Sequence, residues 1–412
     1  MPRDRSDRSR WLVPLAFLAF VSLGLPDGVL GVAWPALRRS FDRPVDHLGL
    51  ILLATMAGYL VSSFSGGALV ARLGVGRLLL WSGLLVATGA GLWAATPVWP
   101  PILAGAFASG LGAGAIDAGL NAFASARFSP RVITWLHACW GLGAMLGPLG
   151  MTAAIASGLG WRAGYAGLAA TLVALALCFR LTLGLWATPV IPRSPAEPAS
   201  VIPRSAAASG DEGSASARPP GMADALRNRR VRLNALVFFA YAGTEAGAGQ
   251  WAYTLLTEAR GMSAQAAGIA ASIYWGSILV GRLGFGALAH HIPPKTLLRL
   301  STLGAPLAAL TVGLTRGPVG AFAGLFALGL LLAPIFPLLI AETPARVGAR
   351  LAPHAIGFQI SAATLGAGTL PAAAGLLMQR SGLETLGPFL LATATLVLLL
   401  NAVASRQRPA SA

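Results

Sequence analysis

Long apolar runs alternate with short polar or turn-forming segments along the whole chain. Most runs extend over roughly 20 residues, the length that an α-helix needs to cross the ~30 Å hydrocarbon core of a bilayer. The pattern therefore predicts a series of membrane-spanning helices, separated where charges, Gly and Pro accumulate. The predicted spans are residues 11–37, 47–70, 77–95, 100–124, 132–156, 163–185, 233–257, 263–288, 297–315, 317–341, 355–378 and 385–404.

A polar segment at residues 187–228 interrupts this pattern between the sixth and seventh spans. It is rich in Pro, Arg, Ser and Ala, and it repeats VIPRS at 190–194 and 201–205. Such a composition buries too little apolar surface to offset the entropy of ordering, so it predicts a disordered cytoplasmic linker. The predicted domains are an N-terminal six-helix bundle at 1–186, the linker, and a C-terminal six-helix bundle at 229–412.

The composition agrees with an all-α integral membrane protein. Only 11% of the 412 residues are charged, against about 25% in a soluble domain. The net charge of +16 comes from arginines between the apolar runs and not from one basic domain, so we expect a lipid bilayer and no nucleic acid as partner. Cys139 and Cys178 are isolated and provide neither a disulfide framework nor the ligand spacing of a metal site.

The distribution of Lys and Arg predicts the orientation. With both termini cytoplasmic, the inner loops hold most of these residues, even when the linker is left out of the count. The first run lacks a small-residue cleavage site and continues to Leu37, so we expect an uncleaved first span and not a signal peptide. The prediction is a multi-pass protein of the plasma membrane, in a bacterium the inner membrane.

Glycines recur at equivalent positions of the two halves. A shift of 219 residues superposes six of them: Gly24 on Gly243, Gly28 on Gly247, Gly49 on Gly268, Gly67 on Gly286, Gly105 on Gly324 and Gly110 on Gly329. This spacing predicts an internal duplication into two pseudo-symmetric bundles. Many secondary transporters are built in this way, with the substrate site between the halves near the bilayer midplane.

The stretch after the second span carries a family resemblance. Gly67–Arg77, GALVARLGVGR, resembles the loop signature of the major facilitator superfamily. Arg72 and Arg77 fit the signature, while Ala71 stands in place of its usual aspartate. The resemblance implies the fold of that superfamily, twelve transmembrane helices in two six-helix bundles, and gating roles for Arg72 and Arg77. It also implies a monomer.

Three further motifs resemble the fucose permease branch of sugar–proton symporters. They are Gly24–Gly28 (GLPDG) in span 1, Asp117 with Asn121 in span 4, and Gly243–Gly247 (GTEAG) followed by Gln250-Trp251 in span 7. That family has acids in spans 1 and 4. The resemblance therefore implies proton and sugar roles for Asp27 and Asp117.

Asp117 is the only charge in the apolar run 100–123. A charge at a helix centre costs at least ~2.5–3.5 kcal/mol on insertion scales, so such a residue normally faces the bundle interior or an aqueous cavity. Asn121 lies one turn later on the same face and extends this polar stripe as a candidate for solute binding. The alternative is a structural hydrogen bond from a permanently protonated Asp117.

Asp27 lies between Pro26 and Gly28 in span 1. Because proline removes a helix hydrogen bond, we expect a kink that frees carbonyl groups around this second candidate for proton coupling. The alternative is an acid near the outer mouth, solvated through the kink.

Span 7 supplies candidates for solute binding from the second half. Glu245 lies in a Gly-rich stretch that permits local unwinding. Tyr241 shares a face with Glu245 in a regular helix, but Gln250 and Trp251 converge with them only if the helix is broken. Aromatic rings beside polar groups suit stacking on sugar rings. The alternative for Trp251 is an aromatic belt at the membrane interface.

Three other polar residues in or beside spans are candidates. Arg282 in span 8 is either a buried counter-ion or an interhelical clamp at the inner gate. His137 at the start of span 5 either bonds a gate or titrates, or is a structural histidine near the membrane surface. Gln359 in span 11 is a candidate for lining a cavity and binding substrate.

The chain contains no catalytic triad, zinc signature or nucleotide-binding loop, so we expect neither an enzyme nor a cofactor. The leading hypothesis is a secondary transporter that couples a sugar or similar solute to H⁺, with Na⁺ possible. An efflux antiporter is the first alternative, because Gly143–Pro148 partly resembles an antiporter signature. A membrane sensor or scaffold that does not transport is the second.

Overall fold

The computed structural model of the protein describes residues 11–186, 221–288, 291–348 and 350–406. Within these ranges the chain forms helices and no strand. We number the long helices α1 to α12, so that each corresponds to one predicted span. They are α1 Leu12–Ser40, α2 Leu48–Leu73, α3 Val75–Ala95, α4 Pro100–Arg127, α5 Pro130–Ala156, α6 Gly160–Leu181, α7 Arg229–Thr254, α8 Ala264–Leu288, α9 Pro294–Leu314, α10 in two parts, Pro318–Leu332 and Ile335–Val347, α11 Ala352–Ser381 and α12 Leu386–Arg406.

Eleven helices of the described ranges are long and apolar enough to cross a membrane. The exception is α7, because it carries Glu245, Gln250 and several arginines near its start. The predicted all-α membrane fold is confirmed. The helix that lipid alone would accommodate worst is also the one that supplies most of the predicted solute-binding residues.

Local features of three helices bear on the sequence predictions. Helix α1 continues through Pro26 as one element. Helix α7 continues through its glycine cluster to Thr254 and then forms a π-helical turn at Leu255–Ala259. Helix α10 is interrupted at residues 333–334, where Pro334 provides no backbone N–H. The break that would bring Gln250 and Trp251 to the face of Glu245 is therefore absent from this stretch.

The predicted linker lies mainly outside the described residues. Its last part is described and forms a short helix, Met222–Arg227. Gly221 N donates a hydrogen bond to Asp224 Oδ2 (2.9 Å) and so satisfies one free N–H at the start of this helix. Helical structure therefore begins before residue 229, where the sequence placed the start of the second bundle.

The two halves contact each other along two seams that the 219-residue offset relates. At one seam Gly49 of α2 packs against Ala372 of α11, and at the other Gly268 of α8 packs against Thr152 of α5. Gly49 and Gly268 are equivalent under the offset, and a side chain at either would collide with the opposite half. The predicted duplication is thus visible as a pair of equivalent contacts.

One end of the interface between the halves is closed. Arg38 and Arg39 at the end of α1 form ion pairs with Glu258, at 2.6 and 2.9 Å. Across one seam, Val45 N donates a hydrogen bond to Gln379 Oε1 (3.0 Å). These contacts hold the halves together where α1 ends and α2 begins. We call this the closed end.

Candidate functional site

Three of the described carboxyl groups lie in the middle of the interface between the halves. Asp27 (α1) and Asp117 (α4) belong to the first half and Glu245 (α7) to the second. Asp27 lies within electrostatic range of the other two. It is exposed although it is in the middle of a span, and Gln250 Nε2 of the opposite half donates to its backbone O (2.7 Å). The accessible space that Asp27 faces is therefore a cleft between the halves.

Each of these acids accepts a hydrogen bond from an aromatic side chain. Trp140 Nε1 donates to Asp27 Oδ2 at 2.8 Å. Tyr59 Oη donates to Asp117 Oδ2 at 2.5 Å. The Tyr241 hydroxyl donates to the Glu245 carboxylate. Because hydrogen bonds to ionised groups are the strong ones, these donors orient the carboxyls before any solute arrives.

The predicted polar stripe of α4 is present. Asn121 Nδ2 donates to Asp117 Oδ1 at 2.8 Å, as the spacing of one helical turn requires. Asp117 therefore has a donor on each oxygen, one from α4 and one from Tyr59 on α2. Both Asp117 and Asn121 are half-buried, so the stripe borders the cleft.

The second half provides a matching set around Glu245. Tyr274 Oη of α8 donates to the Glu245 backbone O at 2.7 Å. Gln250 is buried, and its Oε1 has no hydrogen-bond partner among the described residues. A buried acceptor without a donor costs about 1–3 kcal/mol. A solute hydroxyl would be a suitable donor for it.

Two of the predicted binding residues do not reach the cleft. Trp251 is fully buried, and its Nε1 donates to Pro371 O of α11 at 2.9 Å. Because α7 remains helical here, Trp251 points about 100° away from Gln250. Gln359 is also fully buried, and it exchanges hydrogen bonds with the Thr343 hydroxyl at 3.0 and 3.1 Å. Both side chains are occupied by packing within the second half.

Of the predicted gating residues, Arg282 lies beside an acid and His137 lies near Arg282. The Arg282 guanidinium carbon is 4.8 Å from the centroid of the Trp140 ring in the opposite half. Arg282 also interacts electrostatically with Glu245. His137 packs edge-on against Phe20, with ring centroids 5.2 Å apart, and lies within electrostatic range of Arg282. For Arg282 this geometry agrees with the buried counter-ion interpretation.

The other two predicted gating residues are remote from the acids. Arg72 lies in the last turn of α2 and Arg77 in the first turn of α3, and both are exposed. Neither makes a hydrogen bond or ion pair within the ranges that the structure describes. Their predicted role therefore has no contact to support it in this conformation.

Sequence reasoning did not single out Tyr59, Trp140 or Tyr274 as site residues. The chain has five tyrosines. The hydroxyl of a buried tyrosine usually finds a hydrogen-bond partner. A tyrosine in the middle of an apolar span, such as Tyr59 or Tyr274, therefore predicts that a hydrogen-bond acceptor lies nearby. This was the sequence feature from which both residues could have been found.

Two solved structures are similar to the chain. A bacterial homologue of the human lysosomal transporter Spinster, in an inward-facing and unoccupied conformation, is 14% identical, with 98% of this chain and 96% of that chain covered and a TM-score of 0.71. A mutant of the nucleoside transporter NupG is 12% identical, with 95% of this chain and 98% of that chain covered and a TM-score of 0.75. At these identities the likeness shows the fold alone.

No curated protein sequence matches the chain at a significant level. A family model does match, and it is described as the Major Facilitator Superfamily. The match extends over residues 16–371, which include all three acids of the cleft and both seams between the halves up to Pro371. Together with the fold, it shows that the chain belongs to the Major Facilitator Superfamily and is a multi-pass membrane transporter.

Proposed function

We propose that the protein is a proton-coupled symporter of a sugar or a similar polar solute and that it works by alternating access. The observation that carries the proposal is the accessible carboxyl of Asp27 in the cleft, within electrostatic range of Asp117 and Glu245. Neighbouring carboxyls in the middle of a membrane-spanning bundle cannot all be charged without cost. A cleft of this kind is suited to take up a proton and release it again.

Asp27 and Asp117 are the proposed proton-coupling residues. Asp27 is open to the cleft, and Asp117 is oriented by Tyr59 and Asn121. The described groups that contact the two carboxylates are N–H and O–H donors. This favours H⁺ over Na⁺, because a hard cation requires several oxygen ligands.

The proposed solute site combines polar groups of both halves with aromatic rings. Asn121, Glu245 and Gln250 supply donors and acceptors for solute hydroxyls. The half-buried Trp140 supplies a ring next to these groups, while Tyr241 is fully buried and orients Glu245 through its hydroxyl. A sugar presents hydroxyls at its edge and C–H groups on its faces, so it fits a site in which a few polar groups lie among aromatic side chains. We leave Trp251 and Gln359 out of this site.

The proposed transport cycle depends on the predicted orientation. With both termini cytoplasmic, the closed end faces the outside of the plasma membrane and the cleft opens inward. Arg38 and Arg39 with Glu258 then form the outer gate, while Arg282 and His137 lie at the centre. We propose a monomer, since both halves of the cleft come from one chain.

The test is transport by purified protein in liposomes. We would offer labelled neutral sugars, a nucleoside and an organic amine under an imposed pH gradient. We expect uphill uptake of a neutral sugar that requires the proton gradient and disappears with a protonophore. Uptake driven by a Na⁺ gradient alone would overturn proton coupling, and transport of the amine without any sugar would overturn the solute assignment.

The antiporter alternative rests on Gly143–Pro148 of α5. Gly143 packs against the α1 backbone at Val21 O and Leu25 N, and Gly147 packs against Leu25 O. This close approach of two helices accounts for both glycines without a role in exchange. Symport remains our proposal. A symporter takes up solute when protons flow in the same direction, whereas an antiporter takes it up when protons flow in the opposite direction, so the direction of the imposed proton gradient distinguishes symport from antiport.

A further inference from the structure

We propose that Trp140 is a positioning residue that transmits the protonation state of Asp27 to the second half through its contact with Arg282. The inference rests on the proposed function, because it assumes that Asp27 takes up a proton. Beyond the proposed function, the inference names the contact between Trp140 and Arg282 as the one through which protonation of Asp27 alters the interface between the halves.

Trp140 contacts both halves at the seam between α5 and α8. Its Nε1–H donates to Asp27 Oδ2 at 2.8 Å. Its ring lies against the Arg282 guanidinium, whose carbon is 4.8 Å from the ring centroid. It also meets the Trp275 ring at an interplanar angle of 85°, with centroids 5.8 Å apart. A single side chain thus joins an acid of one half to a cation and an aromatic ring of the other.

The charged groups around this contact belong to four helices. Asp117 on α4 and Glu245 on α7 interact with Asp27. Arg282 on α8 interacts with Glu245 and with His137 on α5. Gln250 contacts the backbone of Asp27 and not its carboxylate. Among the described residues, Trp140 is therefore the hydrogen-bond donor to the Asp27 side chain.

The Trp140 bond responds to the charge on Asp27. An indole N–H can donate a hydrogen bond but cannot accept one. A bond to an ionised carboxylate is roughly twice as strong as one to a neutral acceptor. Protonation of Asp27 therefore weakens the bond that fixes the Trp140 ring under Arg282, and the cation–π contact between the halves loses its fixed partner.

Helices α5 and α8 approach each other closely on either side of Trp140. Gly141, the next residue, packs against Leu279 of α8, and Gly276 of α8 packs against Met145 of α5. Because these helices are in close contact, a displacement of the Trp140 ring toward α8 requires displacement of α5 relative to α8. The protonation state of Asp27 would thus bias the arrangement of the two halves.

The test measures the distance between the halves as a function of pH, without solute. Spin labels are attached at Ser157 and Gly317, which are exposed near the closed end on opposite halves. Cys139 and Cys178 are replaced by Ser, and the protein is placed in lipid nanodiscs. Distances are recorded at about pH 5 and about pH 8, on either side of the range in which a perturbed carboxyl titrates. We expect the populations of the wild type to change between the two, and those of Asp27→Asn to change much less, with Asp117 accounting for the remainder.

The decisive variant is Trp140→Phe, which keeps a ring against Arg282 and removes the N–H. We expect the pH-dependent change in the ratio of the two populations to fall about tenfold, as for the loss of a hydrogen bond to a charged group. The matched control is Trp275→Phe at the same seam, because Trp275 Nε1 has no hydrogen-bond partner among the described residues. This control should keep the full response.

The results distinguish a failure of the proposed role of Trp140 from a failure of the proposed proton-coupled transport. A wild type that does not respond to pH contradicts proton coupling itself. A responsive wild type with an equally responsive Trp140→Phe overturns the role of Trp140 and leaves the symport proposal standing. Equal loss in Trp275→Phe would assign the effect to ring packing and would also overturn it. If Trp140→Phe does not fold, Arg282→Gln tests the same contact from the other half, with the same expected loss.

Discussion

Arg39 and Glu258 form an ion pair of 2.9 Å across the closed end, and the two residues occupy equivalent positions in the two halves. They are 219 residues apart, the offset that also superposes the glycines. Gly31 and Gln250 are related by the same offset, and Gly31 packs against the Gln250 backbone. These two contacts between equivalent residues therefore lie along the pseudo-twofold axis of the interface.

Loss of the Glu258 charge should open the closed end. Glu258 pairs with Arg38 and Arg39, and its side chain is only 15% exposed. We expect Glu258→Gln to disfavour the closed arrangement by about 1–2 kcal/mol, between the values for exposed and buried pairs. The labels at Ser157 and Gly317 should report this as a shift toward longer distances.

The control for the closed end is Glu384→Gln. Glu384 also pairs with two arginines, Arg260 and Arg316, but all three residues belong to the second half. Its loss should leave the distance between the halves unchanged. An equal shift in both variants would mean that the Arg39–Glu258 pair has no specific part in closure.

Asp117→Asn should separate coupling from solute binding. The amide resembles a permanently protonated acid, so we expect uphill accumulation to be lost while exchange of labelled solute between the two sides continues. Asn121→Ala should instead weaken solute affinity and leave coupling intact. Transport assays in liposomes, with and without a pH gradient, measure both. Wild-type accumulation by Asp117→Asn would make Asp117 a structural hydrogen-bonder.

Tyr59→Phe should destabilise the first half. It leaves Asp117 Oδ2 without its donor at 2.5 Å, and an unsatisfied acceptor in a half-buried site costs about 1–3 kcal/mol. Tyr165→Phe is the matched control, because the buried Tyr165 hydroxyl has no hydrogen-bond partner among the described residues. Thermal unfolding in detergent should show a lower midpoint for Tyr59→Phe alone. Equal midpoints would show that the Tyr59 bond contributes nothing.

A side chain at Gly268 should prevent the halves from meeting at the α5–α8 seam. An added Cβ would overlap Thr152 of the opposite half. We expect Gly268→Ala to shift the protein out of the closed arrangement, and Thr152→Gly to restore it in the double variant. The Ser157–Gly317 distances measure both steps. If the second change does not restore them, the collision with Thr152 is not the cause.

The predicted orientation can be tested by labelling. A cysteine replacing Ser205 in the predicted linker, with Cys139 and Cys178 changed to Ser, should react with an impermeant maleimide only after the cells are opened. Reaction in intact cells would place the linker outside. It would also reverse our assignment of the closed end.

The pattern of apolar and polar residues along the chain was sufficient to predict the fold and one part of the candidate site. Helix periodicity placed Asn121 beside Asp117, because residues one turn apart share a face whatever surrounds them. The partners from other helices did not follow from the sequence. Tyr59 reaches Asp117 from α2 and Trp140 reaches Asp27 from α5, and such pairs depend on tertiary packing.

Trp251 and Gln359 were predicted to bind solute, and the structure buries both for the same physical reason. The glycines of α7 permitted an unwinding that would bring Gln250 and Trp251 to the face of Glu245. The helix persists, because Gly243 and Gly249 are filled from outside by Leu370 and by Trp275. In the same way the polar side chain of Gln359 found a buried partner in Thr343. A polar residue in a span indicates that a partner exists, but it does not say whether that partner is protein or solute.

The position of the Arg39–Glu258 pair on the axis has a consequence for the origin of the chain. In a symmetric dimer of two identical halves, a residue on the axis meets a copy of itself, and two arginines or two glutamates would repel each other. An attractive pair at this place requires the two copies to carry different residues. Closure by this contact therefore became possible only after the two repeats had diverged at this position, one to arginine and the other to glutamate.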